Sequence, residues 1–372
     1  MEFNDLLLDD AQAIEAADAG GMLLATATAG AQVRSASTQL PDVAALPARG
    51  EVRSVVICGM GGSGVAGEVL KAVSGPTSPV PVVAHRGYTL PAWVGALDLV
   101  IVVSCSGSTE EALALHGEAV RRGCPSAVVA SEGSPLALAG IAAGGLVVPV
   151  NPGGRQPRAN LWALTVPVLQ IGAAVGLCSV NADVWERLAD LVDAEAMACG
   201  PMVSVPENPA KQLAYSLAGT LPLVWGCTPL MAVAALRFQA QCAENADYPV
   251  IPGELPEVNH NQVVMFDGAM AAIAPDDIFA DRAERAMSLS VVLLRDDAEH
   301  DQVMRRARYS RDMAEQRGIG VHELRGAGDD PLERFAQLTA RLDMASIYLA
   351  VGFGVDPSEI GPITELKERI GS

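Results

Sequence analysis

The chain has 372 residues, of which 44 are acidic and 25 are lysine or arginine, so its formal net charge is −19. This charge argues against polyanionic partners such as nucleic acids and anionic membrane surfaces, whereas a nest of backbone N–H groups could still bind a small phosphate. The length exceeds that of one ordinary hydrophobic core and predicts two domains. Half of the residues are hydrophobic but only 4% are aromatic, which favours helices packed on sheets over an all-β fold.

The N-terminal half of the chain reads as a helical lead-in followed by alternating strands and helices. Residues 5–38 show a weakly amphipathic helical pattern. After them, short apolar runs predict strands, and apolar residues at helical spacing predict helices between the strands. The predicted strands are 55–58, 80–84, 99–103, 126–130 and 146–150. The predicted helices are 64–73, 109–122, 135–142, 158–176 and 183–198.

A proline-rich segment, Gly200–Pro209, separates this series from a second one and is the predicted linker. The second series again alternates between helix and strand, apart from an irregular stretch at 248–261. Its predicted helices are 209–218, 230–245, 300–317, 330–351 and, in the tail, 363–370. Its predicted strands are 222–226, 262–267, 289–295 and 320–325.

These patterns predict an α/β fold with two domains, each a parallel sheet flanked by helices. Strands that are apolar along their whole length are typical of parallel sheets covered on both faces. We place the N-terminal helical lead-in at 1–40, the first domain at 41–200 and the second domain at 201–355. A C-terminal helical tail follows at 356–372.

Cysteine usage and hydrophobicity predict the compartment. The seven cysteines are scattered and show no CxxC spacing, which indicates reduced thiols in a cytoplasmic protein. The acidic N-terminus is unlike a signal peptide. Residues 159–182 carry no charge and are long enough to span a bilayer, but they include Pro167 and Gln170. We therefore interpret them as a buried or inter-subunit helix and expect no membrane association.

Two turns rich in glycine and serine follow predicted strands. They read Gly59-Met-Gly-Gly-Ser-Gly64 and Ser104-Cys-Ser-Gly-Ser-Thr-Glu-Glu111. Each stands where a strand ends and a helix begins, so its hydroxyls and backbone N–H groups can bind a phosphate. An alternative is that these residues only satisfy turn geometry. The predicted phosphate ligands are Gly61, Gly62, Ser63, Ser104, Ser106 and Thr109.

These two turns resemble the phosphate-cradling loops of sugar isomerase (SIS) domains. The runs Arg237-Phe-Gln-Ala-Gln-Cys-Ala-Glu-Asn-Ala246 and Leu255-Pro-Glu-Val-Asn-His-Asn-Gln262 are similar to those of bifunctional phosphoglucose/phosphomannose isomerases. The resemblance covers nearly the whole chain and implies two SIS-type domains of flavodoxin-like topology with a C-terminal tail. It implies an aldose–ketose isomerase that interconverts fructose 6-phosphate with glucose 6-phosphate, mannose 6-phosphate or both through a cis-enediol.

The resemblance also implies roles for four side chains. Glu244 corresponds to the catalytic base, and a single carboxylate suffices to move a proton between adjacent carbons. His260 corresponds to the ring-opening histidine, contributed to the neighbouring subunit's site in a homodimer. Arg158 matches an active-site arginine whose planar fork would stabilise the enediolate, and Lys367 matches a lysine that assists ring opening.

Taken alone, these residues leave other interpretations open. Glu244 also suits a solvated helix-end acid, His260 a structural histidine, and Lys367 a solvated lysine. Arg158 also suits a helix cap or a surface ion pair. The hydroxyl loops alone would serve a non-catalytic regulator that binds sugar phosphates. An amino-sugar phosphate isomerase is disfavoured because we find no glutamine-hydrolysing domain. The other histidines and the cysteines show no metal-ligand spacing, so we expect neither a metal nor another cofactor.

Overall fold

The computed structural model describes residues 2–39, 42–271 and 287–371. The described residues fall into two compact units. The first-sheet unit comprises Thr28–Asp193 and Pro362–Ser372, and the second-sheet unit comprises Met1–Ala27 and Ala194–Gly361. Neither unit is a contiguous segment, and the four contiguous domains expected from the sequence stay a prediction.

The first-sheet unit holds a parallel sheet of five strands in the order β2-β1-β3-β4-β5, which is the flavodoxin-like order expected. The strands are β1 (Ser54–Gly59), β2 (Val82–His85), β3 (Asp98–Ser104), β4 (Ser126–Ser131) and β5 (Leu146–Val150). The α-helices that lie wholly within this unit are α3 (Ala29–Ser37), α4 (Gly61–Ser74), α5 (Glu110–Arg121), α6 (Pro135–Ala142) and α7 (Leu161–Ala174). The division between the units falls within α8 (Ala182–Ala198).

Both faces of this sheet are covered, which explains why its central strands are apolar throughout. On one face, Val100 and Val128 pack with Leu115 of α5 and Leu136 of α6. On the other face lies α4, where a Cβ added at Gly67 would come within 3.0 Å of the Ile57 side chain. Alternate residues of each strand therefore face opposite helical layers, as expected for a buried parallel sheet.

The uncharged segment at 159–182 contains α7, a helix packed inside the first-sheet unit. Leu164, Val168 and Ile171 are completely buried. A Cβ at Gly172 would come within 2.5 Å of Leu70 of α4, so the two helices approach closely. The interpretation of this segment as a buried helix is confirmed. Among the described helices, none has the length and apolar character needed to cross a membrane.

The second-sheet unit holds four parallel strands in the order β7-β6-β8-β9. These are β6 (Thr220–Gly226), β7 (Ile251–Glu254), β8 (Ser288–Arg295) and β9 (Gly320–Arg325). The helices are α1 (Ala11–Ala17), α2 (Met22–Ala27), α9 (Pro209–Leu217), α10 (Pro229–Ala246), α11 (Asp301–Gln316) and α12 (Pro331–Phe353). The tail helix α13 (Gly361–Ile370) begins at the last residue of this unit and continues in the first-sheet unit.

The predicted strand at 262–267 is wrong. This segment is a 3-10 helix, Gln262–Asp267, and the strand lies at Ile251–Glu254, inside the stretch expected to be irregular. The segment Ile251–Glu254 pairs with β6 through its main chain and forms the edge strand, with Ile251 opposite Leu223. The side chains of Gln262 and Phe266 are held by Trp225, through a 2.7 Å hydrogen bond from its indole N–H and by stacking at 5.7 Å.

The predicted linker, Gly200–Pro209, is fixed within the second-sheet unit. The ammonium group of Lys211 donates hydrogen bonds to the carbonyl oxygens of Pro201 at 2.8 Å and Val203 at 2.7 Å. The Lys211 side chain is fully buried, and this burial lowers its pKa because it disfavours the charged form. These bonds leave the segment little freedom to act as a flexible hinge.

All seven cysteines are unpaired thiols, and six of them are buried. Their side chains behave as small hydrophobes; Cys58 on β1, for example, is completely buried in the sheet. This agrees with the expectation of reduced thiols. The cytoplasmic location stays a prediction.

Candidate functional site

The first glycine loop connects β1 to α4 in the first-sheet unit. Gly61 has a φ of 52°, a left-handed conformation that favours glycine. A Cβ at Gly59 would lie 2.9 Å from the Ser63 carbonyl oxygen, so the chain doubles back tightly here. The first amides of α4, including those of Gly61 and Gly62, lie at a helix N-terminus, where backbone N–H groups have no acceptor within the helix.

The second loop connects β3 to α5 and is organised around Ser104. The Ser104 hydroxyl lies 2.6 Å from the Thr109 hydroxyl and accepts a hydrogen bond from the Gly107 amide at 3.0 Å. Gly107 has a φ of 65°, and a Cβ there would lie 1.9 Å from the Ser134 hydroxyl. Ser106 is exposed at the loop surface. Three of the four loop hydroxyls, on Ser104, Ser106 and Thr109, are the predicted ones.

A hydrogen bond joins the two loops directly. The buried Ser63 hydroxyl accepts from the amide of Cys105 at 3.1 Å. The carbonyl of Cys105 in turn accepts a hydrogen bond from the Ser131 hydroxyl, at the end of β4. The sequence interpretation missed Ser131, although its place at the end of a neighbouring strand was a usable signal. Burial raises the pKa of the Cys105 thiol to about 11, so this residue is a neutral part of the loop.

This arrangement could bind an anion. β1 and β3 are neighbours at the point where the strand order reverses, which is where ligands bind in open parallel sheets. Two helices, α4 and α5, begin at that edge, and their N-termini favour negative charge. The hydroxyls of Ser63, Ser104 and Thr109 add further hydrogen-bonding groups for a phosphate.

Arg158 lies beside the first loop. It belongs to a short 3-10 helix, Pro157–Ala159, and only 4% of its surface is exposed. A Cβ added at Gly62 would lie 3.2 Å from the Cα of Arg158, so glycine permits this close approach. Arg158 is therefore buried rather than at the surface, and its main chain lies next to Gly62, one of the predicted phosphate ligands.

A second arginine, Arg155, was missed by the sequence interpretation. Its side chain donates to Asn160 at 3.0 Å and to the Asn151 carbonyl at 3.2 Å. Burial lowers the pKa of Arg155, while the nearby Cys105 thiol acts in the opposite direction. Arg155 also lines a cavity of about 250 Å³ beside Gln32 of α3. Two consecutive glycines directly precede Arg155, and they were the sequence signal that could have drawn attention to this turn.

Lys367 lies on α13, whose residues are all exposed. It belongs to the same unit as the two loops. Its neighbours Glu365 and Arg369 form an ion pair with each other along the helix. Its role in ring opening stays a prediction.

Glu244 lies in the last turn of α10, in the second-sheet unit. Its side chain is half-buried, whereas its neighbour Asn245 is 1% exposed. The helix ends at Ala246, and Asp247 follows in the left-handed conformation with a φ of 51°. Glu244 therefore lies at a helix end and is partly accessible.

His260 ends a 3-10 helix, Glu257–His260, that follows β7 in the same unit, and its side chain is exposed. Both flanking amides donate hydrogen bonds to other side chains. Asn259 donates to Ser310 at 2.8 Å, and Asn261 donates to Glu257 at 2.8 Å. The two amides therefore hold the turn, and His260 is presented at the surface.

The second sheet has the same kind of edge between β6 and β8, but that edge is filled by ion pairs. Arg295 pairs with Glu299 at 2.7 Å, and Arg334 pairs with Asp296 at 2.9 Å; all four side chains are at most 6% exposed. These ion pairs place carboxylates of the chain itself at that edge. Among the described residues, we find no cluster of His, Cys, Asp and Glu suited to a metal ion.

Comparisons with known proteins agree with this geometry. Residues 206–370 match the family described as "Bacterial phospho-glucose isomerase C-terminal SIS domain". The chain is 29% identical over 320 residues to a bifunctional phosphoglucose/phosphomannose isomerase of Caldicellulosiruptor bescii, covering 86% of this chain and 90% of the relative. It is also 29% identical over 319 residues to a protein of the same name from Aquifex aeolicus, with the same coverage of 86% and 90%.

A solved structure supports the fold. The crystal structure of a hypothetical protein from Thermus thermophilus is similar with a TM-score of 0.69 at 15% identity. The match covers 98% of this chain and 94% of that one. At this identity the likeness speaks for the architecture alone.

Proposed function

We infer that the chain, which is similar over 86% of its length to bifunctional phosphoglucose/phosphomannose isomerases, is an aldose–ketose isomerase acting on hexose 6-phosphates. It interconverts fructose 6-phosphate with glucose 6-phosphate, mannose 6-phosphate or both. The reaction moves one proton between C2 and C1 through a cis-enediol. Neither the carbon chain nor the oxidation state of the whole molecule changes.

The observation that carries this inference is the joined pair of loops in the first-sheet unit. A phosphoester near neutral pH carries close to two negative charges and needs several donors. The Ser63 hydroxyl, the Ser104–Thr109 hydroxyl pair and two helix N-termini supply them at one sheet edge. The corresponding edge of the second sheet is occupied by ion pairs, so we expect one phosphate site per chain.

In the proposed reaction, Glu244 takes the proton from C2 of the open-chain aldose and returns it to C1. The carbonyl oxygen at C1 gains a proton as the enediol forms, and the hydroxyl at C2 loses one as the ketone forms. A base that both accepts and returns the proton needs no second carboxylate. Support for this role comes from the resemblance and from the half-buried place of Glu244 on a rigid helix end.

Three further roles are proposed on the same resemblance. Arg158 stabilises the negative charge that develops on the enediolate oxygens, and its burial beside Gly62 strengthens such an interaction. His260 shuttles a proton between the ring oxygen and the C1 hydroxyl when the sugar ring opens, which suits imidazole at neutral pH. Lys367 assists this opening.

Glucose 6-phosphate and mannose 6-phosphate differ only at C2, the carbon that becomes planar in the enediol. Rotation of the open chain about the C2–C3 bond presents either face of that carbon to the base. Activity on both sugars therefore requires no second site. The ratio of the two activities is a property to be measured.

The experiment is a coupled assay with fructose 6-phosphate and each aldose phosphate. We expect turnover by the wild-type protein and a loss of about 10³-fold or more in kcat for Glu244→Gln, with substrate binding retained. Asp247→Asn is the matched control, because it neutralises the next acid along the chain, three residues away, and asparagine tolerates the left-handed backbone. Binding without turnover by the wild type would favour the alternative, a non-catalytic regulator.

We also propose a homodimer in which His260 acts in the neighbouring subunit's site. Mixing two inactive variants, Glu244→Gln and His260→Asn, tests this under conditions that allow subunit exchange. If His260 acts across the interface, each hybrid dimer has one intact site, and about a quarter of wild-type activity returns after statistical mixing. If both groups act within one subunit, no activity returns.

A further inference from the structure

Five buried polar side chains connect α10 with α12 in the second-sheet unit. On α10 they are four residues apart and therefore share one face of the helix. All five are at most 6% exposed. We call this set the α10–α12 ladder; its members are Arg237, Gln241, Asn245, Asp343 and Ser346.

The ladder is a continuous hydrogen-bonded network. Arg237 donates to both oxygens of Asp343, at 2.9 and 2.7 Å, and Gln241 donates to the same carboxylate. Asn245 donates to the Ser346 hydroxyl at 2.8 Å and to the Gln241 side-chain oxygen at 3.3 Å. The Ser346 hydroxyl donates to the main-chain carbonyl of Asp343 at 2.6 Å. The network runs along about two turns of α10.

Such a network fixes how the two helices align more than it adds to the free energy of unfolding. Removing the Arg237–Asp343 pair from water carries a desolvation cost that offsets much of its attraction, and burial alone raises the pKa of Asp343. An apolar contact between the helices would hold them together about as well. A slip by one helical turn, however, would leave a buried guanidinium and a buried carboxylate without partners. The ladder therefore permits a single register of α10 on α12.

The ladder ends beside the proposed base. Asn245 follows Glu244 directly and lies in the same last turn of α10, where the Tyr248 amide closes the helix on the Cys242 carbonyl at 3.1 Å. Because the peptide backbone is shared, the Asn245–Ser346 bond sets the rotation and height of the turn that carries Glu244. The two side chains point in different directions, with Asn245 buried and Glu244 half-buried.

We propose that the α10–α12 ladder positions Glu244, and that Asn245 and Ser346 are its decisive positioning residues. This inference rests on the proposed role of Glu244 as the base. Neither residue needs to touch the substrate. Their effect is on kcat, since a displacement of about 1 Å in a reacting group can cost up to about 100-fold in rate.

The test uses kinetics on folded variants of the full chain. Asn245→Ala and Ser346→Ala are expected to lower kcat by about 10- to 100-fold while KM changes less than about twofold. The acidic limb of the pH profile of kcat/KM, which reports the base, is expected to move in the same variants. Thr339→Ala is the matched control: Thr339 is buried on α12, and within the described part of the chain its hydroxyl bonds only to carbonyls of its own helix, at 2.9 and 3.0 Å, so kcat is expected to stay unchanged.

A swapped pair separates positioning from general stability. The double variant Asn245→Ser/Ser346→Asn can rebuild the same bond in the opposite direction, and we expect it to recover most of the lost kcat. Unchanged kcat and pH profile in both single alanine variants would overturn the proposal, as would a swapped pair that regains stability but not rate. Should Asn245→Ala fail to fold, Ser346→Ala and the swapped pair decide. Absence of turnover in the wild type would instead refute the proposed function.

Discussion

Replacement of Ser63 by alanine tests the anion site most sharply. Ser63 is 6% exposed, and its hydroxyl is the acceptor that joins the two loops, through the Cys105 amide at 3.1 Å. Removing it deletes one proposed phosphate ligand and leaves a buried amide without its partner. Both losses fall on the same sheet edge, where α4 and α5 begin.

The size of the effect follows from these contacts. A hydrogen bond to a charged group contributes about 1.5–3 kcal/mol, which corresponds to about a 10- to 150-fold increase in KM for a hexose 6-phosphate. The orphaned Cys105 amide adds a desolvation cost of about 1–3 kcal/mol to the folded protein. Ser63→Ala should therefore weaken both substrate binding and stability, while kcat changes much less.

The assay combines KM for fructose 6-phosphate, inhibition by inorganic phosphate and chemical denaturation. Ser54→Ala is the matched control, because Ser54 is also buried, lies at the opposite end of β1 and donates to Asp98 at 2.7 Å. It should lose stability with KM and phosphate inhibition unchanged. If Ser63→Ala also kept wild-type values for both, the loops would not be the phosphate site.

Further predictions concern the loops, the second sheet and the pH dependence of stability. Gly107→Ala should raise KM by about 10-fold, because the added Cβ would lie 1.9 Å from the Ser134 hydroxyl and displace the loop. Gly133→Ala is the control: Gly133 has a similar φ of 68° but open space around it, so this change should lower the free energy of unfolding by only about 1–2 kcal/mol and leave KM unchanged. Asp296→Asn breaks the buried ion pair with Arg334 and should lower the free energy of unfolding by about 3–5 kcal/mol. KM should stay unchanged, and a raised KM would contradict the assignment of the phosphate site to the first sheet. Burial lowers the pKa of His116 in the folded protein, and its Nε2 has no hydrogen-bond partner among the described residues. In the unfolded chain this histidine keeps a pKa of about 6.5, so below that pH the unfolded state binds more protons than the folded state. Denaturation at several pH values should show stability falling as the pH drops below about 6.5, and a smaller fall in His116→Phe.

The sequence predicted the strands of both sheets where burial on two faces makes them apolar throughout. β3, Asp98–Ser104, is the clearest case. The edge strand Ile251–Glu254 could not be predicted, because it contains Pro252 and Gly253 and depends on main-chain pairing with β6. The segment 262–267 has a strand-like pattern, yet its side chains pack on Trp225 and the chain forms a 3-10 helix.

The candidate site also combines residues that the sequence reveals with residues that only the structure reveals. Ser63, Ser104 and Thr109 could be predicted because each stands where a strand gives way to a helix. Ser131 also stands at the end of a strand, but its hydrogen bond to Cys105, 26 residues away in the chain, is visible only in the structure. The polar residues of α10 were noticed for their resemblance to a family, but only the position of α12 shows that Asn245 is buried and bonded to Ser346.

The central claim is that one carboxylate moves a proton between C1 and C2 of a bound sugar phosphate. Incubation of fructose 6-phosphate with the protein in deuterated water, followed by proton NMR, measures this transfer directly. The account predicts deuterium at C2 of the aldose product with the wild type, and loss of that incorporation in Glu244→Gln while the sugar phosphate still binds. Wild-type rates of deuterium incorporation in Glu244→Gln would contradict it.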